Sequence, residues 1–148
     1  VGAVHISQAL VGIAKSAGFE VSVIDPRGSF ATKTRFPDVT LIDEWPDDAV
    51  KTLKPDDRTA LVTLTHDPKL DDPALEAALV SDCFYIGSLG SKKTHSARVE
   101  RLLSNGFTDK QINRIHAPIG LDIGAKSPSE IAVSILAEVI SAKYNKVL

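Results

Sequence analysis

The sequence predicts an α/β fold of three layers, with a mostly parallel, doubly wound sheet between two layers of helices. Three observations lead there. Short apolar runs rich in Val and Ile alternate with amphipathic helical runs along the chain, and such alternation builds parallel sheets covered on both faces. Glycine-rich stretches sit between apolar runs and the helices after them, where folds of this class hold ligands. Apolar residues make up 43% of 148 residues and charged residues 24%, which suits one domain, 1–148, with a sizeable core.

The elements follow in order. "ISQALVGIAKSAG" puts Ile6, Leu10, Ile13, Ala14 and Ala17 on one helix face, and Gly18 stops the helix. "FEVSVID", Phe19 to Asp25, alternates as a strand, and "VTLID", Val39 to Asp43, is a shorter one. The connections 26–38 and 43–58, which carry Pro, Gly, Asp and Trp45, read as long loops. "TALVTLT", Thr59 to Thr65, is a buried strand. "DDPALEAALVS" is a helix capped by Asp71 or Asp72, with Pro73 in its first turn. "CFYIG" is a strand, and "SKKTHSARVERLLSNG" is an amphipathic helix ending at Asn105-Gly106. "TDKQINRI" is a short capped helix. "SPSEIAVSILAEVISAKY" starts with Ser127 as cap, Pro128 in the first position and Glu130 completing a capping box. Ile131, Ile135, Leu136 and Val139 should be its buried face. The expected strand order is 3-2-1-4-5-6. Only Val1 precedes the first glycine, and the chain contains no Met. The first strand is therefore expected to be truncated, and the chain to be the C-terminal piece of a longer one.

Bulk properties exclude several function classes. The net charge of −2 gives no basic face for nucleic acid or an anionic membrane. No apolar run approaches the roughly 18 residues of a membrane span. The single cysteine, Cys83, rules out an internal disulfide and reads as a buried thiol in a reducing compartment, the cytoplasm. His5, His66, His95 and His116 are scattered without helical ligand spacing, so no metal site is expected.

The stretch "YIGSLGSKKTHSAR" is the strongest chemical signal. A strand stops at Gly87, and Ser88, Gly90, Ser91, Lys92 and Lys93 lead into a helix. Glycines at Gly87 and Gly90 allow positive φ, so successive N–H groups can converge on one anion, and the helix start adds positive potential. Arg98 lies two turns along and can point away. "PIGLDIGAKSPSE" is a second such loop, with Gly120 and Gly124 around Asp122, expected to face the first. His5 and the pair His66-Asp67 fall at the same edge and are weak catalytic candidates. Asp25 ends the second strand where a ribose-binding acid sits, and Arg27 can meet an anion. These residues read equally well as ordinary turn and core chemistry. Fold physics leaves the ligand open between a nucleotide and another phosphate.

"GAVHISQAL", "VIDPR", "LTHDPKLDDPALEAAL", "YIGSLGSKKTHSARVERL" and "PIGLDIGAKSPSEIAVSILAEVI" together resemble the Rossmann-type C-terminal domain of the XdhC/CoxI family, accessory factors of molybdenum hydroxylases. The resemblance spans Val1 to about Ile140. It implies binding of the molybdenum cofactor (molybdopterin), help with its sulfuration, and insertion into a partner such as xanthine dehydrogenase. It leaves room for a cysteine desulfurase as a second partner and for a homodimer. One departure stands out. The family's first turn is Gly-Ala-Gly-His, whereas this chain has Gly2-Ala3-Val4-His5. Val4 puts a branched side chain where backbone must approach a pyrophosphate, so NAD(P) is a doubtful cofactor. Two alternatives to the accessory role remain open: an NAD(P)-dependent oxidoreductase and an inactive NAD(P)-binding-fold remnant.

Overall fold

The computed structural model describes residues 1–145. Among them five strands and six helices alternate. In chain order they are α1 (His5–Ser16), β1 (Ser22–Ile24), β2 (Thr40–Ile42), α2 (Pro46–Leu53), β3 (Ala60–Thr63), α3 (Pro68–Leu79), β4 (Tyr85–Ser88), α4 (Lys92–Ser104), α5 (Asp109–Ile112), β5 (Ile115–His116) and α6 (Pro128–Lys143). The strand pairings are parallel: β1 with β2, β3 with β4, and β4 with β5.

The two strand groups meet at the chain start. The Gly2 amide donates to the Ile24 carbonyl at 2.8 Å, the Leu64 amide donates to the Val1 carbonyl at 3.0 Å, and the Val1 ammonium donates to the Val62 carbonyl at 2.6 Å. Val1 and Gly2 thus stand in the central position between β1 and β3. The strands form two parallel sheets, β1–β2 and β3–β4–β5, and Val1–Gly2 bonds to both, which sets the elements in the sequence expected of 3-2-1-4-5-6 although residues 1–2 form no strand. On the amino side of Val1, β1 and β3 part around a cleft of about 1070 Å³ lined by Val11, Val23, Leu61, Ile135 and Val139. It lies on the opposite edge from the glycine-rich turns.

Helices α1 and α6 pack together on one face, while α2, α3 and α4 cover the other. Leu61, Leu75, Ile86, Leu102 and Ile115 are buried in the larger core; Leu64, Tyr85, Ile119, Ile135 and Val139 fill the layer under α6. Ile135 and Val139 are buried as expected, but Ile131 and Leu136 are only half-buried. On α1 the buried residues are Ser7, Val11 and Ala14; Ile6, Leu10 and Ile13 are half-buried and Ala17 is exposed. The seat of α1 on the sheet is therefore rotated by about one residue from the apolar stripe.

Two elements differ from expectation. The segment 43–58 contains a helix, α2, with Pro46 at its start, Asp47 and Asp48 in its first turn, and Ala49 and Val50 buried. A proline at the first position and early acids are helix-start signals, although they also compose loops. Helix α3 begins at Pro68 with Asp67 as cap, so Pro73 lies inside it. The cap side chain decides this: an Asp67 carboxylate oxygen accepts from the Lys69 amide at 3.0 Å.

Candidate functional site

The first turn is closed around a buried ion pair. Gly2 has φ +107°, and a Cβ there would stand 2.8 Å from Thr65 Cγ2, so only glycine lets the chain pass the β3–α3 loop. The next amide, Ala3, donates to Asp25 Oδ2 at 2.9 Å. Asp25 is fully buried. Arg27 grips both its oxygens, Nε to Oδ1 at 2.9 Å and Nη2 to Oδ2 at 2.8 Å, and adds its own amide to Oδ1 at 2.9 Å. Burial pushes the Asp25 carboxyl up, but the Arg27 guanidinium and the two amides outweigh it and hold the group below the usual range. Phe30 covers the guanidinium at 4.3 Å. Asp25 and Arg27 are thus brought together but occupied by each other, and a ribose would have to break that pair. Val4 caps α1 and packs partly into the Leu64–Tyr85 core, so its bulk does not all stand over the turn. His5 is exposed in the first turn of α1.

The β3–α3 loop lifts His66 to the rim. His66 is exposed at φ +65°. Asp71, 1% exposed, is not a cap. Its carboxylate folds back to accept from Thr65 Oγ1 at 2.7 Å, the His66 amide at 3.1 Å and the Thr65 amide at 3.3 Å. Burial pushes the Asp71 carboxyl up. Asp67 and His66 do not form an acid–base pair, because the Asp67 side chain is engaged at the α3 N-terminus.

The β4–α4 turn sorts its residues into two groups. Gly87 lies inside β4 without positive φ. A Cβ on it would stand 2.6 Å from Tyr85 Oη and 2.7 Å from Ile119 Cδ1. The glycine is required by packing, and it lacks the positive φ expected of a cradle residue. Ser88 is fully buried and its hydroxyl bonds to Thr63 Oγ1 at 2.7 Å, so it faces β3. The cradle starts at Gly90, with φ +139°. Ser91 caps α4, its hydroxyl accepting from the Thr94 amide at 3.1 Å. Among the described residues, the amides of Gly90, Ser91, Lys92 and Lys93 have no protein acceptor. Lys92 and Lys93 are exposed at the rim.

Arg98, whose helix position allows it to point away, turns inward. It is 2% exposed. Nη2 donates to the Leu89 carbonyl at 3.2 Å, Nη1 faces His95 Nδ1 at 3.3 Å, and the buried Nε has no hydrogen-bond partner. The signal that could have placed it is its spacing from Leu102: four residues apart, the two share a helix face, and Leu102 is fully buried.

The Gly120–Ser127 loop leans on α6. Gly120, φ +91°, lies where a Cβ would come 3.2 Å from the Ile135 amide nitrogen. Its own amide and the Tyr85 hydroxyl both donate to Glu138 Oε1, at 3.1 and 2.6 Å. Glu130 takes the amides of Lys126 and Ser127 at 2.8 and 2.9 Å, which closes the start of α6 to anions. Asp122 and Gly124 are exposed, and no side chain of 121–127 bonds to the β4–α4 turn among the described residues. No group of three or more His, Cys, Asp or Glu gathers as a metal site among the described residues.

The family model described as the XdhC Rossmann domain matches residues 1–139. The chain belongs to the XdhC family. Among its relatives is a Bacillus subtilis protein described as a probable xanthine dehydrogenase subunit, 33% identical over 90% of this chain and 39% of that protein. Another is the molybdenum cofactor insertion chaperone PaoD of Escherichia coli K12, 36% identical over 62% of this chain and 29% of that protein. A crystal structure described as a xanthine dehydrogenase from Bacillus halodurans superposes with a TM-score of 0.82 at 32% identity, covering 99% of this chain and 42% of that one. The chain thus spans less than half the length of these relatives. In this XdhC domain the doubly wound sheet is the family's fold, and the open turn before α4 is the feature of its carboxyl edge with unmatched donors and a buried cation.

Proposed function

We propose that this XdhC domain binds the molybdenum cofactor by its phosphate and serves as the cofactor-holding part of an accessory factor for a molybdenum hydroxylase of the xanthine dehydrogenase kind. The observation that carries the reading is the β4–α4 turn. Four consecutive amides without acceptors open a 13-residue helix, and a buried guanidinium lies behind them, a donor set that suits phosphate oxygens. The names of PaoD and of the Bacillus subtilis relative support the choice of cargo and partner. The cofactor supplies redox chemistry only once it sits in the hydroxylase. The residues of this chain hold it: backbone amides take the phosphate, Lys92 and Lys93 steer it at the rim, and His66 and His5 lie exposed along the same edge for contact with the rest of the ligand.

Help with sulfuration belongs to the same proposal and implies a sulfur donor in trans. Cys83 is the one thiol of the sequence; it is 5% exposed and burial pushes it up, away from the thiolate. A persulfide-bearing enzyme of the cysteine desulfurase class is the donor this chemistry requires.

The test is ligand-induced melting followed by calorimetry, with a pterin phosphate and the isolated molybdenum cofactor against NAD and NADP. The cofactor and the pterin phosphate should raise the melting temperature, and the dinucleotides should not. Stoichiometric low-micromolar binding of NAD, with none of the pterin phosphate, overturns the reading and favours an oxidoreductase.

A further inference from the structure

We propose that Arg98 is the fixed inner cation of a phosphate-monoester subsite formed by the Gly90–Lys93 turn. This rests on the phosphate-binding reading above and names the residue that makes it selective.

Arg98 has no carboxylate in contact with it. A buried guanidinium without a carboxylate partner is costly. The ion pairs of the described residues join Arg27 to Asp25, Arg58 to Asp56 and Arg101 to Asp72; Arg98 is in none of them. Asp71 and Asp72 are close enough to be felt electrostatically. Asp72 is gripped by Arg101 at 2.6 Å, while Asp71 bonds to the Thr65 hydroxyl and the His66 amide and acts on Arg98 only through space, without touching it. Arg98 is left with one carbonyl, one imidazole nitrogen and an unpartnered Nε.

The same guanidinium lies directly inside the turn. Nη2 bonds to the Leu89 carbonyl, and a Cβ on Gly90 would stand 3.8 Å from it. Gly90 therefore separates the cation from the turn by bare backbone. Around that backbone the Gly90, Ser91, Lys92 and Lys93 amides lack acceptors. Arg98 and the α4 dipole both favour negative charge at this point. Lys92 and Lys93 are exposed and contribute less, because water screens them. An anion with several oxygens and up to two charges answers four amides and a buried cation. A phosphate monoester has that chemistry, while a carboxylate offers one charge and two oxygens.

The experiment uses the protein as it stands, with nitrogen-15 NMR and calorimetric titrations of inorganic phosphate and methyl phosphate, and acetate as the contrast. In the wild type, phosphate should shift the Gly90–Lys93 amide signals and the Arg98 Nε–H signal together, saturably, and acetate should not. Arg98→Met, matched in length and apolar, should bind phosphate about tenfold or more weakly. Arg98→Lys should recover part of the loss, and Lys93→Ala should cost less than about threefold. The wild-type titration keeps the test decisive if Arg98→Met does not fold. The proposal is overturned if phosphate leaves the Arg98 Nε–H and turn amides unmoved, or if folded Arg98→Met binds phosphate like wild type. Pterin phosphate binding that survives Arg98→Met overturns this inference alone. Phosphate binding at the turn without any preference for the pterin phosphate overturns the accessory reading alone.

Discussion

Replacing Gly87 with alanine tests whether this glycine serves packing or a ligand. The new Cβ would meet Tyr85 Oη at 2.6 Å, Ile119 Cδ1 at 2.7 Å and Ile119 Cγ1 at 2.8 Å. All three are shorter than the contacts real Cβ atoms make, and the position is buried within β4. Overpacking of this kind costs about 1–3 kcal/mol. Relief requires Tyr85 to move, which breaks its 2.6 Å bond to Glu138; a buried hydrogen bond to a charged group contributes about 1.5–3 kcal/mol. The sum, about 4 kcal/mol, is a large part of the stability of a domain and should lower the melting temperature by roughly 10 °C. Tyr85→Phe removes one of the clashing atoms, so the double variant should lose less than the two single losses added. The assay is thermal and urea unfolding of the four proteins, with phosphate titrations of those that remain folded. A Gly87→Ala protein with wild-type stability but no phosphate binding would refute the packing role and return Gly87 to the cradle.

Three other substitution sets probe the edge. Gly90→Val should abolish phosphate binding, since φ +139° and Thr94 Cγ2 at 2.9 Å exclude its side chain, while Lys93→Ala should weaken it by only about 0.5 kcal/mol; calorimetry of both against wild type checks the ranking. Asp25→Ala should lose about 2–3 kcal/mol at neutral pH, leaving the Ala3 amide and Arg27 without their acceptor. The Asp25 carboxyl is held down in the folded state, so its contribution is full above the unfolded value of about 4 and disappears as the pH falls through the folded value; the variant should unfold with a flatter acid limb in urea titrations from neutral to strongly acidic pH. NAD and NADP should bind without stoichiometry to the wild type. Val4→Gly should improve binding slightly and Val4→Gly with Arg27→Ala more, because the second change frees Asp25; equal affinity across all three in a fluorescence titration would count against that account.

Much of the fold could be read from local signals. Ser127, Pro128 and Glu130 announce α6, and the structure has that capping box. Thr108 caps α5 as its side chain predicts. The parallel pairing of the strands follows from their alternation with helices. The misses share a cause: each depended on the far side of an interface. Gly87 looks like a turn glycine until the Tyr85 ring and Ile119 are seen against it. Ser88 looks like a ligand hydroxyl until Thr63 on the neighbouring strand takes it. Asp71 looks like a cap, yet it shares a helix face with the buried Leu75 and so turns back beneath its own loop. For Arg98 the charge argues for solvent, and its four-residue spacing from the apolar Leu102 is the local signal that it faces in.

The distribution of charge explains why the anion site is assigned to the fourth strand's turn and not to the first, where folds of this class hold dinucleotides. Helices α1, α3, α4 and α6 begin after a strand or loop at this edge, and two of them are closed. Asp67 and Asp71 satisfy the entry to α3, and Glu130 satisfies the entry to α6. The starts of α1 and α4 remain open: α1 has no side-chain cap, and α4 leaves four amides unmatched. Their surroundings differ. The α1 turn stands over Asp25, whose charge Arg27 cancels in contact, and its first turn carries the exposed His5 and no lysine or arginine. The α4 start carries Lys92 and Lys93 and has inside it Arg98, which no carboxylate contacts. Both ends offer a helix dipole of similar worth. Only α4 adds fixed positive charge in a place water does not reach, where a Coulomb interaction is stronger than at the surface. On the proposed reading a ligand with one phosphate is therefore expected at α4, and a ligand with two linked phosphates should gain little from α1 while Arg27 holds Asp25.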